Sequence, residues 1–334
     1  GPVLGDPALR EAIAARWSEA YAGDVRPGDV AVTAGCNEAF CAALATLAGP
    51  GDAVLLPTPW YFNHKMWLDM AGVAAVPLPP GPGLGPRVED AEAALTDRTR
   101  ALVLVTPNNP AGVEYPAATV AAFADLARAR GLALVIDETY RDFDSRPGAP
   151  HPLFAAADWD ETVIQLYSFS KAYRLTGHRV GALVAAPARL AQVEKFLDTV
   201  TICPPQLGQR AALWGLRHLQ DWLAGERAEI LDRRAAVAEA VGGLAALGWR
   251  LEGCGAYFAY LRHPFDAPSD VLARRLVAEA GVLCLPGTMF MPAGGGGAHL
   301  RLAFANVDRA GIGRLAERLA GVTGPKLAAG AAGA

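Results

Sequence analysis

The chain reads Ser168-Phe-Ser-Lys171-Ala-Tyr-Arg174-Leu-Thr-Gly-His-Arg179-Val-Gly181 between two predicted strands, residues 162–167 and 180–185. A lysine in such a loop, among hydroxyls and near Arg174 and Arg179, is expected to have a lowered pKa, which makes its amine a better nucleophile toward carbonyl groups. Arg179 is a two-pronged cation, and Ser168 and Ser170 add hydroxyl donors, so the three suit a phosphate monoester. Taken alone, the loop also fits a surface lysine held in a salt bridge.

Lysine is rare in this sequence, so chemistry that needs a primary amine has few candidates. The 334 residues include 30 lysines and arginines, of which only Lys65, Lys171, Lys195 and Lys326 are lysines. Of these four, Lys171 is the one with candidate phosphate ligands at a suitable spacing.

The composition excludes several classes of protein. Charged residues make up 19% of the chain and the net charge is −4, without a long run of either sign, which argues against a nucleic-acid surface. The five cysteines are odd in number and form no Cys-x-x-Cys pair, which fits neither a zinc site nor a complete disulfide framework. The apolar runs are too short for a membrane span, and the first residues show no signal pattern. We expect a cytoplasmic protein with no metal, no membrane partner and no nucleic-acid partner.

Short apolar runs alternate with longer helical patterns over the first half of the chain. Strands are predicted at residues 30–33, 53–56, 101–105, 132–136, 162–167 and 180–185, and helices at residues 37–47, 63–70 and 115–130. This rhythm is typical of an α/β fold with a largely parallel sheet and helices on both faces. Each predicted strand ends in a polar loop, where ligands of open α/β sheets usually bind.

The pattern of residues changes after Pro205, from alternating short strands and helices to long helices. Residues 206–247 contain no proline and predict long helices. Strands at residues 249–251, 256–261, 282–285 and 299–304 and helices at residues 269–280 and 308–319 then predict a smaller α+β unit. We expect a large domain over residues 1–222, a small C-terminal domain over residues 223–323 and a flexible Gly/Ala-rich tail over residues 324–334.

Four segments resemble, in the required order, the motifs of class I/II aminotransferases, which are fold-type-I pyridoxal-phosphate enzymes. They are Ser168-Phe-Ser-Lys171 with Arg179 downstream, Thr106-Pro-Asn-Asn109-Pro-Ala-Gly112, Val135-Ile-Asp137-Glu-Thr-Tyr140 and His299-Leu-Arg301-Leu-Ala-Phe304. The resemblance extends from about residue 5 to residue 319. It implies a large domain with a mostly parallel seven-stranded sheet, a smaller α+β domain, and pyridoxal 5'-phosphate held by Lys171 as a Schiff base.

The resemblance assigns chemical roles to several of these residues. Asp137 would keep the pyridine nitrogen of the cofactor protonated, which the cofactor needs in order to withdraw electrons. Tyr140 and Asn109 would stabilise the anion on its phenolic oxygen. The Lys171 amine, freed by the incoming amino acid, would move a proton as general base and acid. A lone aspartate after a strand is more often a cap, and a lone tyrosine more often a core residue, so these roles depend on the ordered motifs.

Two more segments match the family's cofactor site. Gly35, Cys36 and Asn37 follow a strand and open a helix, as the family's phosphate loop does. Tyr61 matches the aromatic residue expected to stack on the pyridine ring, with Trp60 as the second choice. A purely structural aromatic cluster is the alternative for this segment.

Arg301 and Asn109 match the positions that hold the substrate, with Arg301 clamping the α-carboxylate in a two-pronged pair. Residues 201–209 contain no arginine and Asn37 is neutral, where members that act on acidic substrates place cations. A dicarboxylic substrate is therefore disfavoured, and the aromatic residues near the site favour a neutral or aromatic L-amino acid with a 2-oxo acid as acceptor.

The chain also departs from the family pattern in two places. Ala111 stands where the signature has threonine, although the Asn-Pro-x-Gly turn that places Asn109 is kept. Family members carry a segment ahead of the first residue here that lines the substrate entrance, and many contribute a tyrosine from it to the neighbouring subunit's phosphate. The resemblance implies a homodimer with active sites at the interface.

Fold and cofactor do not fix the type of reaction. A lyase, decarboxylase, oxidase or racemase on this fold would use the same Lys171, Asp137 and Arg301. The aminotransferase-like sensor domain of a transcription regulator is a further alternative, although the sequence shows no helix-turn-helix or basic element. A nicotinamide-dependent oxidoreductase is disfavoured, because no strand leads into G-x-G-x-x-G at a helix start. Transamination is the activity that we predict.

Overall fold

Two sheets organise the fold, which a computed structural model describes for residues 1–325. The larger sheet contains β1 (Val30–Thr33), β2 (Ala53–Pro57), β3 (Ala74–Leu78), β4 (Thr99–Val105), β5 (Ala133–Asp137), β6 (Val163–Ser168) and β7 (Gly181–Val184). Its strand order is β1-β7-β6-β5-β4-β2-β3. Strand β7 runs antiparallel to β1 and β6, and all other neighbours are parallel. The predicted α/β architecture with a mostly parallel seven-stranded sheet is confirmed.

Helices cover both faces of this sheet. They are α1 (Pro7–Tyr21), α2 (Cys36–Ala45), α3 (Phe62–Met70), α4 (Val88–Ala93), α5 (Ala117–Arg130), α6 (Pro187–Val200) and α7 (Gln206–His218). Along β4, Leu102 and Leu104 enter the core that contains α1 and α5, whereas Ala101 and Val103 enter the core that contains α2, α3 and α6. Because both faces are buried, the central strands read as continuous apolar runs.

A smaller antiparallel sheet follows, with strand order β10-β11-β9-β8. Its strands are β8 (Arg250–Gly255), β9 (Phe258–Arg262), β10 (Leu285–Pro286) and β11 (His299–Ala303), and its helices are α8 (Gln220–Gly242), α9 (Ser269–Ala280) and α10 (Arg309–Ala320). Helix α8 packs against β8 and α10. Among the described helices, none has the length and apolarity needed to cross a bilayer.

The domain boundary expected after residue 222 lies in the first turn of α8, and the division into residues 1–222 and 223–323 stays a prediction. The tail expected over residues 324–334 lies, apart from residues 324 and 325, outside the described residues. Lys326 also lies outside them.

The sequence patterns missed α1, β3 and α4, and one predicted strand is wrong. Residues 282–285 were expected to form a strand, but pairing begins only at Leu285. The backbone N–H of Val282 instead donates to Leu276 O at 2.9 Å, and Gly281 adopts the left-handed conformation that ends α9. The missed strand β3 is a half-exposed edge strand and so lacks a buried apolar run.

Candidate active site

The polar loops at the carboxyl ends of β4, β5 and β6 open into a cavity of about 1210 Å³. Residues of β9, β11 and α8 complete its wall. The cavity is lined by every site residue expected from the sequence except Gly35: Cys36, Asn37, Tyr61, Asn109, Asp137, Tyr140, Ser168, Ser170, Lys171, Arg179 and Arg301. The fold thus brings these residues together, since the carboxyl ends of parallel strands meet at one edge of a sheet.

Lys171 lies just beyond the end of β6 and lines the cavity. Its Nζ atom is 5.7 Å from the centre of the Tyr140 ring. Burial lowers the pKa of the Lys171 amine, and the positive charges of Arg301 and Arg179 lower it further, against the opposing charge of Asp137. The direction agrees with the sequence-based expectation, and it increases the neutral, nucleophilic fraction of the amine.

One of the two arginines expected beside this amine is engaged elsewhere. Arg174 forms an ion pair with Glu226 at an N–O distance of 2.7 Å, and its side chain is 68% exposed. The second positive charge near Lys171 comes from Arg301, which is distant in sequence. Contacts between distant segments leave no local pattern, so the sequence pointed to the nearer arginine.

Asp137 ends β5 and is buried at the base of the cavity. Its Oδ2 lies 3.2 Å from His64 Nε2, and its Oδ1 accepts a hydrogen bond of 3.0 Å from the backbone N–H of Thr139. Burial by itself would raise the pKa of this carboxyl, but His64 and the donors of Thr139 outweigh it and hold the pKa below its usual value. Asp137 is therefore a carboxylate and can face a cationic ring nitrogen.

His64, to which no motif in the sequence assigns a role, lies beside Asp137. Its ring stacks on that of Phe40, with 3.8 Å between the ring centres, and its side chain is almost fully buried. The stacking holds the imidazole plane while Nε2 faces Asp137. Tyr61 and His64 are three residues apart at the start of α3, a spacing that puts both on one side of the helix, and this was the available signal.

One end of the cavity brings together groups that suit an anion. Arg179 Nη1 donates to Ser170 Oγ at 3.3 Å, and the Ser170 backbone N–H donates to Ser168 Oγ at 3.2 Å. Helix α2 begins here without a side-chain cap, so the first-turn amides of Cys36 and Asn37 remain available to an anion. The predicted phosphate ligands thus lie together.

Two glycines allow this close arrangement. Gly35 precedes α2 with a φ of +96°, and a Cβ there would collide with Arg179 Nη2. A Cβ at Gly181 would lie 2.7 Å from the backbone nitrogen of Cys36. The glycines therefore let β7, the Arg179 guanidinium and the start of α2 approach one another.

Two tyrosines provide protonated hydroxyls. Tyr61 Oη lies 3.5 Å from Asn37 Oδ1, and burial raises the pKa of Tyr61 to about 12. Burial also raises the pKa of Tyr140 well above its usual value, and its ring meets Phe258 edge-on at 5.3 Å. Of the two aromatic candidates for stacking, Tyr61 lines the cavity, whereas Trp60 is buried outside its lining.

Arg301 extends from β11 to the loop after β4. Its Nη1 donates a hydrogen bond of 2.9 Å to Asn109 Oδ1. The guanidinium carbon lies 4.6 Å from the centre of the Phe258 ring and 5.2 Å from that of Phe290, and Nε is buried without a hydrogen-bond partner. Burial lowers the pKa of Arg301. A partly desolvated guanidinium with unused donors is suited to a carboxylate.

The turn that carries Asn109 keeps its shape despite the missing threonine. Ala111 is fully buried in an apolar cluster with Phe290. Gly112 has a φ of +71° and approaches Gly255 so closely that a Cβ would meet its backbone. Backbone conformation and apolar packing therefore hold Asn109 in the cavity.

The sequence profile of the family described as aminotransferase class I and II matches residues 1–319. This chain belongs to the class I and II aminotransferase family. The family resemblance and the aminotransferase activity expected from the sequence are confirmed by this match and by the relatives below. Members of this family depend on pyridoxal phosphate and act on amino acids and oxo acids.

The relatives share the activity but differ in substrate. An arginine–pyruvate transaminase of Pseudomonas aeruginosa is 33% identical over 304 residues, which cover 90% of this chain and 76% of that protein. The aspartate/prephenate aminotransferase of Thermus thermophilus is 30% identical over 334 residues, which cover 97% of this chain and 83% of that protein. The solved structure of an aromatic aminotransferase from Pyrococcus horikoshii matches with a TM-score of 0.86 at 26% identity and covers 96% of this chain and 86% of that one.

Proposed function

We propose that this chain holds pyridoxal 5'-phosphate through Lys171 and moves amino groups from a neutral or aromatic L-amino acid to a 2-oxo acid. The observation that carries the proposal is the Lys171 amine of lowered pKa, which shares one cavity with a buried carboxylate, a partly desolvated guanidinium and an anion cradle. By anion cradle we mean Arg179, Ser170 and the first turn of α2. Each of these groups is chemically complementary to one part of the cofactor or of an amino acid.

The residues of the cavity fit the cofactor. Arg179, Ser170 and the first turn of α2 suit its phosphate, and Ser168 supports Ser170. Asp137 suits its protonated ring nitrogen. When bound, the cofactor supplies an electron sink for negative charge at the substrate's α-carbon.

The chain's own groups then bind, orient and move protons. Arg301 and Asn109 hold the α-carboxylate, which aligns the α-carbon with Lys171. The Lys171 Nζ atom takes the α-proton as general base and returns a proton as general acid. Tyr140 and Asn109 would donate hydrogen bonds to the phenolic oxygen of the cofactor, and Tyr61 would hold the face of its ring.

Two of the arginines that line the cavity are already paired with carboxylates, which leaves fewer cations for a second carboxylate of the substrate. Arg174 is paired with Glu226 at 2.7 Å and Arg233 with Glu229 at 2.8 Å, so neither is an open cation. The aromatic residues Tyr61, Phe62, Tyr257 and Phe258 line the same cavity. Neutral or aromatic side chains suit this lining better than an acidic one.

We further propose a homodimer in the cytoplasm. Five exposed apolar side chains on α3 and around the α6 to α7 connection form what we call the α3/α6 patch: Met66, Met70, Val200, Ile202 and Leu207. The edge-on contact of Trp67 with Phe196, at 6.3 Å between ring centres, joins the two helices. An apolar surface of this kind supports a subunit interface, and the free thiols of all five cysteines support a reducing compartment.

Replacing the proposed cofactor lysine tests the function directly. We expect Lys171→Ala to retain no covalently attached pyridoxal phosphate after borohydride reduction, by intact-protein mass, and to lose about 10²- to 10⁴-fold in kcat/KM. Lys195→Ala, on the exposed side of α6, should trap one cofactor per chain as the unchanged protein does.

An amino-donor screen separates transamination from the other reactions that this fold supports. Neutral and aromatic L-amino acids should convert the enzyme to its pyridoxamine form and yield the corresponding 2-oxo acid. Release of ammonia or carbon dioxide as the main product would contradict the proposal. Covalent cofactor on Lys171→Ala would contradict the lysine assignment.

A further inference from the structure

Two phenylalanine rings enclose the guanidinium of Arg301. The guanidinium carbon lies 4.6 Å from the Phe258 ring centre and 5.2 Å from that of Phe290. A cation within about 6 Å of an aromatic ring centre is attracted to the face of the ring, and more strongly where water is excluded. Both rings are buried, so this attraction is little screened.

Few polar contacts fix the orientation of Arg301. Within residues 1–325, the hydrogen bond that its side chain donates goes to Asn109 Oδ1, and its Nε atom is buried without a partner. One hydrogen bond at Nη1 leaves the guanidinium free to turn about that contact. The Phe258 and Phe290 rings are further contacts of the guanidinium, at 4.6 and 5.2 Å from its carbon to the ring centres.

Phe290 is itself held by contacts with two other segments of the chain. Its carbonyl oxygen accepts a hydrogen bond of 2.9 Å from the backbone N–H of Trp60. Its ring lies 5.6 Å from the ring of Phe62 and packs with Ala111 in a small apolar cluster apart from the two main cores. The segment that carries Tyr61 and the turn that carries Asn109 therefore both fix the ring that faces Arg301.

We propose that Phe290, assisted by Phe258, is a positioning residue that orients Arg301 for the substrate's α-carboxylate and keeps water from Nε. The inference depends on the proposed function, in which Arg301 binds that carboxylate. Its consequence is specific. Removing the Phe290 ring weakens the recognition of a carboxylate and leaves the recognition of the rest of the ligand unchanged.

The test compares two probes that do not react, 3-phenylpropanoate and 3-phenylpropanamide, in calorimetric titrations of the cofactor-loaded enzyme. The probes differ only in the charged group, so the ratio of their Kd values measures carboxylate recognition. For Phe290→Leu we expect the Kd of 3-phenylpropanoate to rise about fivefold to tenfold, the worth of one buried cation–π contact, with the Kd of the amide unchanged. With L-phenylalanine as donor, KM should rise by a similar factor while kcat is kept.

Matched variants separate positioning from general damage. Phe290→Met also lacks a ring and serves if Phe290→Leu folds poorly. Phe265→Leu removes another buried ring of the smaller sheet region, which packs edge-on against Trp249 at 5.8 Å, and it should leave both Kd values unchanged.

Arg301→Gln separates a failure of the positioning role of Phe290 from a failure of the proposed function. If Arg301→Gln abolishes the preference for the carboxylate probe and Phe290→Leu and Phe290→Met do not change it, the positioning role is wrong and the proposed function stands. If Arg301→Gln leaves the preference intact, the carboxylate site of the proposed function is wrong and the positioning role falls with it.

Discussion

At the scale of single residues, neighbouring groups favour the charged form of Asp137 and the neutral form of Lys171, because they lower the pKa of both. Burial disfavours charge on both Asp137 and Lys171. His64 and Thr139 reverse that effect for Asp137, so its pKa is lowered and it stays anionic. For Lys171, Arg301 and Arg179 add to the effect of burial, so its pKa is lowered toward the neutral amine. One cavity therefore holds an anionic Asp137 and a Lys171 amine that loses its proton more easily than a free lysine. This pair suits proton transfer beside a cationic ring.

The lowered pKa of Lys171 predicts when its amine becomes reactive. In cofactor-free protein, labelling of Lys171 by trinitrobenzenesulfonate, followed by peptide mass spectrometry, should rise at a lower pH than labelling of free Nα-acetyl-lysine. Arg301→Gln removes a positive charge that lowers the pKa, so the labelling curve of Lys171 should move to higher pH. A curve that stays in place, or moves to lower pH, would show that Arg301 does not act on the amine.

At the scale of elements, the anion cradle depends on the meeting of β7 with the first turn of α2. Gly35 and Gly181 have no side chains to separate these elements, and Arg179 lies against Gly35. The sequence predicted both β7 and α2 at nearly the right residues, because a buried strand forms a short apolar run and a helix repeats its apolar residues every three to four positions. It could not show that Arg179 lies against Gly35, since that contact joins strands that are neighbours only in the sheet.

Gly35→Ala tests this junction, with Gly51→Ala as its matched control. The two glycines have φ values of +96° and +91°, so both substitutions cost about 1–3 kcal/mol of backbone strain in the free energy of unfolding. Only the Gly35 substitution displaces Arg179, because nothing lies within 4 Å of a Cβ at Gly51. We expect both variants to melt at lower temperature, but only Gly35→Ala to bind pyridoxal phosphate about tenfold or more weakly, from the loss of a charged hydrogen bond. Equal affinity of the two variants for pyridoxal phosphate would show that Arg179 does not help to bind the phosphate.

At the scale of the whole molecule, the cavity is assembled from both sheets. Asp137 and Lys171 come from the large sheet, and Arg301 comes from β11 of the small one. Helices α3 and α6 of the patch pack in one core with α2, whose first-turn residues Cys36 and Asn37 line the cavity. Assembly and activity are therefore linked in the function that we propose.

Leu207→Asp tests the proposed dimer. A charge in the middle of an apolar interface is costly, so this variant should sediment as a monomer at micromolar concentration, where the unchanged protein sediments as a dimer. Leu283→Asp is the control, because Leu207 and Leu283 are both 80% exposed and Leu283 lies outside the patch. If Leu207→Asp stays dimeric, the interface lies elsewhere.

The sequence by itself determined the α/β class, most of the central strands and the candidate residues around Lys171, Asp137 and Arg301. Short segments of sequence are enough to indicate these features, because they depend on apolar runs buried on both faces and on short motifs at strand ends. Only the tertiary structure decided which groups meet: His64 with Asp137, Arg301 rather than Arg174 near Lys171, and Phe290 against Arg301. The reason is physical, because electrostatic and aromatic contacts depend on distance in space, and chain folding sets that distance independently of separation along the sequence.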